Sequence, residues 1–276
     1  MTNDDNNGNK LGLPDARTLI LDLFAAYHGV TPGGPVLGTR QILLVAEALD
    51  IAPTAVRTAI TRLKQDGRLK TVARGLYGYG NRVDPWRQRI DGWRLVLARR
   101  RPWDDAWLMA MVKPASLSRT VWRSTTMALE LEGFRRTPAG PWLRPDNLER
   151  LDSMRQRLIA YGATATLTTA RLTDLDETSL TAATTLWHSD GIDENHRRLA
   201  TQIDESLQRI DGQTSDGAAR EALVLGRAGV RAIIKDPLLP KAMTDDGALR
   251  SLLEMMLRYD KVGKAVWTRR FGIDGK

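Results

Sequence analysis

The sequence predicts a multidomain α+β chain, and three observations predict it. Apolar residues recur at helical spacing at both ends of the chain. Between them "AWLMAMV" at 106–112 is a nearly continuous apolar run, the mark of a strand covered on both faces. Charge is concentrated rather than spread. Residues 53–82 carry seven basic residues against one acid, a net of +6, whereas 141–230 carry ten basic residues against fourteen acids, a net of −4. The 276 residues suffice for two or three domains of ordinary size.

The first expected helix is "ARTLILDLFAAY" from Ala16 to Tyr27, capped by Asp15 after Pro14 and ended by the loop "HGVTPGGPV". A second, "TRQILLVAEAL" from Thr39, turns Ile42, Leu43, Val45, Ala46 and Leu49 inward. The short turn "DIAP" leads to a third, "VRTAITRLKQDG", opened at Ala52 or Thr54, with Pro53 suited to its first turn. Val56, Ala59, Ile60 and Leu63 form its buried stripe, and Gly67 is its left-handed stop. Helix, four-residue turn and basic helix is the helix-turn-helix arrangement. "RLKTVARGLYGYGN" then alternates apolar with basic and aromatic positions around Gly75, a two-stranded hairpin that reads as a wing. Residues 14–84 are therefore expected to form a winged helix-turn-helix domain.

A linker-like stretch with Trp86, Trp93, Trp103 and the run Arg99, Arg100, Arg101 precedes the apolar strand. "SLSRTVWRSTTMALELEGF" follows as a helix with Ser116 as cap and Gly133 as stop. "RRTPAGPWLRP" is a short strand or hairpin, "NLERLDSMRQRLIAYG" a helix closed by Gly162, and "ATATLTTARLT" a return to β composition. Strand, helix, strand, helix, strand over 85–173 makes a ferredoxin-like α+β domain the simplest arrangement. From Asp174 to 276 the pattern is helical, with "KDPLLPKAM" interrupting the last two helices.

Composition narrows the functional classes. Hydrophobic content of 42% and charged content of 27% describe a core-forming chain, with no run near the roughly 20 apolar residues of a membrane span. The opening "MTNDDNNGNK" lacks a secretory pattern and reads as a floppy tail. No cysteine is present, which excludes disulfides and thiolate metal sites and suits the cytoplasm. No catalytic, metal or cofactor site is expected. His196 in "DENHRRLA" lacks a histidine partner at ligand spacing and reads as a solvated residue, and His28 suits a helix end. No phosphate-loop, dinucleotide or nucleophile-elbow motif occurs. The tryptophans fill core or interface, or line a ligand pocket.

If the third helix enters a major groove, Thr54, Arg57, Thr58, Thr61 and Arg62 face the bases. Arginine pairs bidentately with guanine, and threonine meets a base edge or a thymine methyl. Phosphate positioning is the alternative for Arg57 and Arg62. Lys64, Arg68, Lys70 and Arg74 are assigned to phosphates, and Arg74 with Tyr77 at the wing tip to a backbone or minor-groove contact.

Three stretches resemble the PaaX-type transcriptional repressors of phenylacetate catabolism. "VRTAITRLKQDGRL" resembles that family's recognition-helix segment. "WLMAMVKP" with "RTVWRSTTMALELEGFRRTPAGPWLRP" resembles its central domain, and "IIKDPLLP" its C-terminal helical domain. The resemblance implies a winged-helix head, a central domain shaped like the small CRISPR-adaptation nucleases, and a helical C-terminal domain. It also implies a homodimer on palindromic double-stranded operator DNA, released by an acyl- or aryl-coenzyme A thioester. The candidates for such an effector are Arg99, Arg100, Arg101, Arg119 and Arg123. For Arg99, Arg100 and Arg101 a DNA-facing or solvated run is the alternative. A nuclease would need an acid closing the first central strand, where Lys113 stands, with Asp104 and Asp105 before the strand. The expected function is a DNA-binding transcriptional regulator. The alternatives are a nuclease or RNA-processing enzyme on the central domain, and an interaction scaffold on the helical one.

Overall fold

In a computed structural model the structure describes residues 12–26, 35–80, 89–112, 118–149, 151–161, 163, 167–188 and 191–272. The expected tail, most of the loop at 28–36 with His28, and Tyr27, Arg82, Trp86, Lys113, Ser116 and Gly162 lie outside them. The fold is α+β, with helices and two small antiparallel sheets. No helix of the described residues is long and apolar enough to cross a membrane.

The chain divides into two compact units. The first contains Met1–Arg87, Leu199–Val230 and Glu254–Lys276. The second contains Gln88–Arg198 and Arg231–Leu253. Residues 174–276, expected as one helical domain, contribute to both. Their long helices bury apolar side chains along most of their length, with Ile203, Leu225 and Trp267 in the first unit and Ile233, Ile234 and Leu249 in the second.

In the first unit, α1 (Ala16–Ala26) is capped as expected. Asp15 accepts from Thr18 N at 2.7 Å, and that hydrogen bonding holds its carboxyl below the usual range. Leu19, Ile20, Leu23 and Phe24 are buried on one face. The two-residue strand β1 (Leu37–Gly38) leads into α2 (Thr39–Ala48), which buries Ile42, Val45 and Ala46 and leaves Leu43 half-buried. α3 (Pro53–Gln65) starts on Pro53 and buries Val56, Ala59, Ile60 and Leu63. Arg68 N bonds Leu63 O at 2.9 Å and Gly67 N bonds Lys64 O at 3.0 Å, the paired closure of a glycine-stopped helix. Gly67 takes φ +69°, open to glycine at little cost.

The hairpin follows as β2 (Leu69–Ala73) and β3 (Leu76–Tyr79), turning through Gly75 at φ +74°. β1 adds to the far side of β3, so the sheet order is β1-β3-β2. Tyr79 packs on Phe24, with ring centroids 5.2 Å apart.

In the second unit, β4 (Trp107–Met111), α4 (Arg119–Leu131), β5 (Arg135–Arg136), β6 (Trp142–Pro145), α5 (Leu151–Ala160) and β7 (Thr168–Leu172) follow in turn. The antiparallel sheet has the order β5-β6-β4-β7, which puts the apolar strand in its interior. Leu108 and Ala110 of β4 pack with Ala128 and Leu129 of α4 and Met154 and Leu158 of α5. On the alternate face Trp107 packs against Trp103 and Trp187, at centroid distances of 5.8 and 6.2 Å. Trp107 and Trp187 are core, joined by Ala183 of α6 (Glu177–Thr184) and by Leu239, with Trp103 half-buried against them. The cap of α4 is Ser118, whose hydroxyl accepts from Val121 N at 3.3 Å.

The last three helices are α7 (Ile192–Arg209), α8 (Ser215–Lys235) and α9 (Gly247–Phe271). Within the first unit, Ser206 and Tyr259 share a buried hydrogen bond of 2.9 Å, and Trp267 Nε1 donates to Ala219 O at 3.1 Å. Two arginines of α8 hold the three-helix head. Arg227 pairs with Asp22 of α1 at 2.6 Å, and Arg220 reaches Ala48 O at 3.0 Å at the end of α2 and Asp50 at 2.6 Å just past it.

Candidate nucleic-acid interface

α3 presents one face to the core and the opposite face to solvent. Thr54, Arg57, Thr58, Thr61 and Arg62 are all exposed, spaced 3, 1, 3 and 1 residues apart along a single stripe, with Lys64 and Gln65 exposed beside it. The 3.6-residue period that buries Val56, Ile60 and Leu63 sets the phase of this outer stripe. The first turn has Ala52 at its cap position, no side-chain cap and no acidic residue, so its end of the helix dipole stays positive. Thr58 and Thr61 donate their hydroxyl hydrogens to Thr54 O and Arg57 O, at 2.9 and 3.0 Å.

Electrostatics favour an anion on this face. Among the described residues no carboxylate pairs with Arg57, Arg62, Lys64, Lys70 or Arg74. The one acid of the basic stretch, Asp66, is engaged by Arg17 at 2.8 Å. On the hairpin, Lys70, Thr71, Val72, Ala73 and Arg74 are exposed, with Arg74 beside Gly75 at the tip. A register shift between Thr71 and Ala73 bulges β2. Tyr77 is half-buried, flanked in the sheet by Thr71 and Leu37, and Arg68 is half-buried where β2 begins. Eight of the ten residues expected to touch DNA are therefore exposed. Arg68 and Tyr77 are partly withdrawn.

The five arginines expected to meet an effector divide differently. Arg99 lies 3.4 Å from Glu132 and 3.2 Å from Glu149, Arg100 pairs with Asp246 at 2.5 Å, and Arg101 pairs with Asp146. All three guanidinium groups are thus engaged by carboxylates. Arg119 and Arg123 are exposed one turn apart on α4.

Of these carboxylates Glu132 and Asp146 are buried and Glu149 and Asp246 half-buried, and none stands near the arginine run in sequence. Glu132, whose side chain is fully buried, accepts from Arg157 Nε and Nη2 at 3.2 and 3.1 Å and lies 3.7 Å from Arg89. Arg144, also buried, donates to Glu132 O, to Pro145 O at 2.9 Å and to Asn147 Oδ1 at 3.1 Å. Burial pulls its guanidinium down to about 10. Asp104 and Asp146 are both engaged by Arg171, whose hydrogen bond holds the Asp104 carboxyl below the usual range.

His196, expected on a solvated face, is buried, with Nδ1 3.6 Å from Asp236. Burial raises the Asp236 carboxyl. The charged neighbours of His196 in sequence hide the fact that its own position on α7 faces inward. Among the described residues no group of three or more His, Asp or Glu side chains is gathered in a way that could hold a metal ion.

Neither a family model nor a curated protein matches the chain. Among solved structures it is similar to the uncharacterized protein Rv0674 from Mycobacterium tuberculosis. The identity is 21%, covering 95% of this chain and 99% of that one, with a TM-score of 0.61. That likeness is one of fold.

Proposed function

We propose that the chain is a sequence-specific regulator of transcription that reads double-stranded DNA with α3 and the β2–β3 hairpin. The observation that carries this reading is the exposed Thr54–Arg62 stripe. It lies in the same unit as a hairpin bearing Lys70 and Arg74, with its cations unclaimed by carboxylates among the described residues. The order α1, β1, α2, α3, β2, β3, with β1 completing the sheet, supports a winged helix-turn-helix head. The β-α-β-β-α-β order of the second unit, with sheet order β5-β6-β4-β7, supports a ferredoxin-like domain. Both fit the resemblance to PaaX-type repressors, and with it a homodimer on a palindrome. Arg99, Arg100 and Arg101 hold carboxylates of the second unit rather than an effector's phosphates.

Lys64, Lys70 and Arg74 would neutralise about three phosphates per head, so about six for the two heads of a dimer. Counterion release then gives a slope of log K against log salt near −5.4 for the dimer. The test is fluorescence anisotropy of labelled duplex DNA with the full chain from 50 to 200 mM salt. A fall of at least a hundred-fold is expected. Salt-independent affinity, or no binding at 50 mM, would overturn the reading.

A further inference from the structure

Thr54, Thr58 and Thr61 share the outward stripe of α3 with Arg57 and Arg62. Thr58 and Thr61 give their hydroxyl hydrogens to main-chain carbonyls one turn back, at 2.9 and 3.0 Å. Each oxygen is thereby held against the helix wall, and its one hydrogen is spent. A threonine so bonded offers a groove its methyl and two lone pairs, but no donor. Guanine O6 and N7, adenine N7 and thymine O4 are all acceptors, so none of them gains a hydrogen bond from these side chains. The arginines beside them supply donors for guanine. The threonine oxygens can still accept from adenine N6 or cytosine N4, but only from a position held against the helix wall, whereas the methyl meets the one apolar group that the major groove presents, the thymine 5-methyl.

Resting on the DNA reading of α3, the geometry points to thymine as the base selected by Thr58 and Thr61, through methyl contact rather than hydrogen bonding. Three residues of helix advance about 4.5 Å, which projects onto one base-pair step of about 3.4 Å when the helix lies inclined across the groove. The two thymines therefore lie at neighbouring steps of one half-site, flanked by guanines that Arg57 and Arg62 read.

The full-length protein is used to enrich binding sites from a random double-stranded pool. The tightest site is then resynthesised with deoxyuridine for thymidine at one position at a time, which removes only the methyl. Two positions per half-site are expected at which uracil weakens binding about four-fold each, the worth of one buried methyl. Thr58→Ser and Thr61→Ser keep the hydroxyl at exposed positions that the fold does not need. Each is expected to weaken the thymine site by the same factor and to become indifferent to uracil at one of the two positions. Equal binding of uracil and thymine sites overturns the assignment and leaves the DNA reading standing, as do serine variants that keep the full uracil effect. A pool that yields no enriched sequence overturns the DNA reading itself, and the thymine assignment falls with it.

Discussion

Replacing Glu132 with glutamine removes one charge from the centre of the second unit at nearly constant volume. The carboxylate is wholly buried, takes two hydrogen bonds from Arg157 at 3.1–3.2 Å, and has Arg99 at 3.4 Å and Arg89 at 3.7 Å. Arg144 lies buried beside it on the Glu132 main-chain carbonyl. Glutamine can accept through one oxygen only, and its amide hydrogens would point at guanidinium groups that have no acceptor to offer. Breaking one side of a buried ion pair costs about 3–5 kcal/mol, because the opposite charges remain desolvated. For a unit of this size that corresponds to a fall in Tm of roughly 10 °C. Thermal unfolding followed by circular dichroism at pH 7 measures it. Arg157→Met in the same background is expected to recover part of the loss, since it withdraws a stranded cation. A Glu132→Gln chain that melts within 2 °C of wild type would refute the argument, because the network would then be hydrated rather than buried.

Other outcomes follow from the same geometry. Arg227→Met removes the half-buried pair with Asp22. It is expected to cost about 1–2 kcal/mol, between the worth of an exposed bridge and a buried one, and an unchanged denaturant midpoint would contradict it. The Asp246 carboxyl is held down to about 2 by hydrogen bonds from Arg250 and Arg100. Because the folded value lies below the unfolded one, its stabilisation is complete only above about pH 5 and is lost as pH falls toward 2. Asp246→Asn should flatten that part of the stability profile, and a profile identical to wild type would remove Asp246 from the account. Sedimentation of the full chain at micromolar concentration is expected to give a homodimer. A monomer that binds DNA without cooperativity would exclude two-fold operator recognition.

The head was largely legible in the sequence because its signals are local. Val56, Ala59, Ile60 and Leu63 mark a helical period, Pro53 and Gly67 mark its ends, and Gly75 marks the bend. β1 was not legible, since two residues have no period and are strand only because Leu37 and Gly38 meet Tyr77 and Leu76. α5 starts at Leu151 rather than near Asn147 because Asn147 is committed elsewhere. Its side chain receives Arg144 and donates to Leu238 O at 2.7 Å, and its carbonyl receives Arg101 N at 2.8 Å. The arginine run at 99–101 looks like an anion site in sequence. Its carboxylate partners stand 33 to 146 residues away, a separation that no local pattern encodes. The outer stripe of α3 carried its message because exposure follows from the same period that buries the inner one.

Whether α3 reads bases while the hairpin holds phosphates is decided by the contrast between two variants. Affinities of wild type, Arg57→Ala and Lys70→Ala are measured by anisotropy on an enriched site and on random duplex at one salt concentration. Both side chains are exposed, so neither change should disturb the fold. Arg57→Ala is expected to lose about 1–3 kcal/mol on the enriched site, to lose much less on random DNA, and to relax preference at one base pair per half-site. Lys70→Ala should weaken both duplexes alike, since a phosphate carries no sequence information. Equal losses on both duplexes for both variants, or an Arg57→Ala chain that binds as wild type does, would contradict base reading by α3.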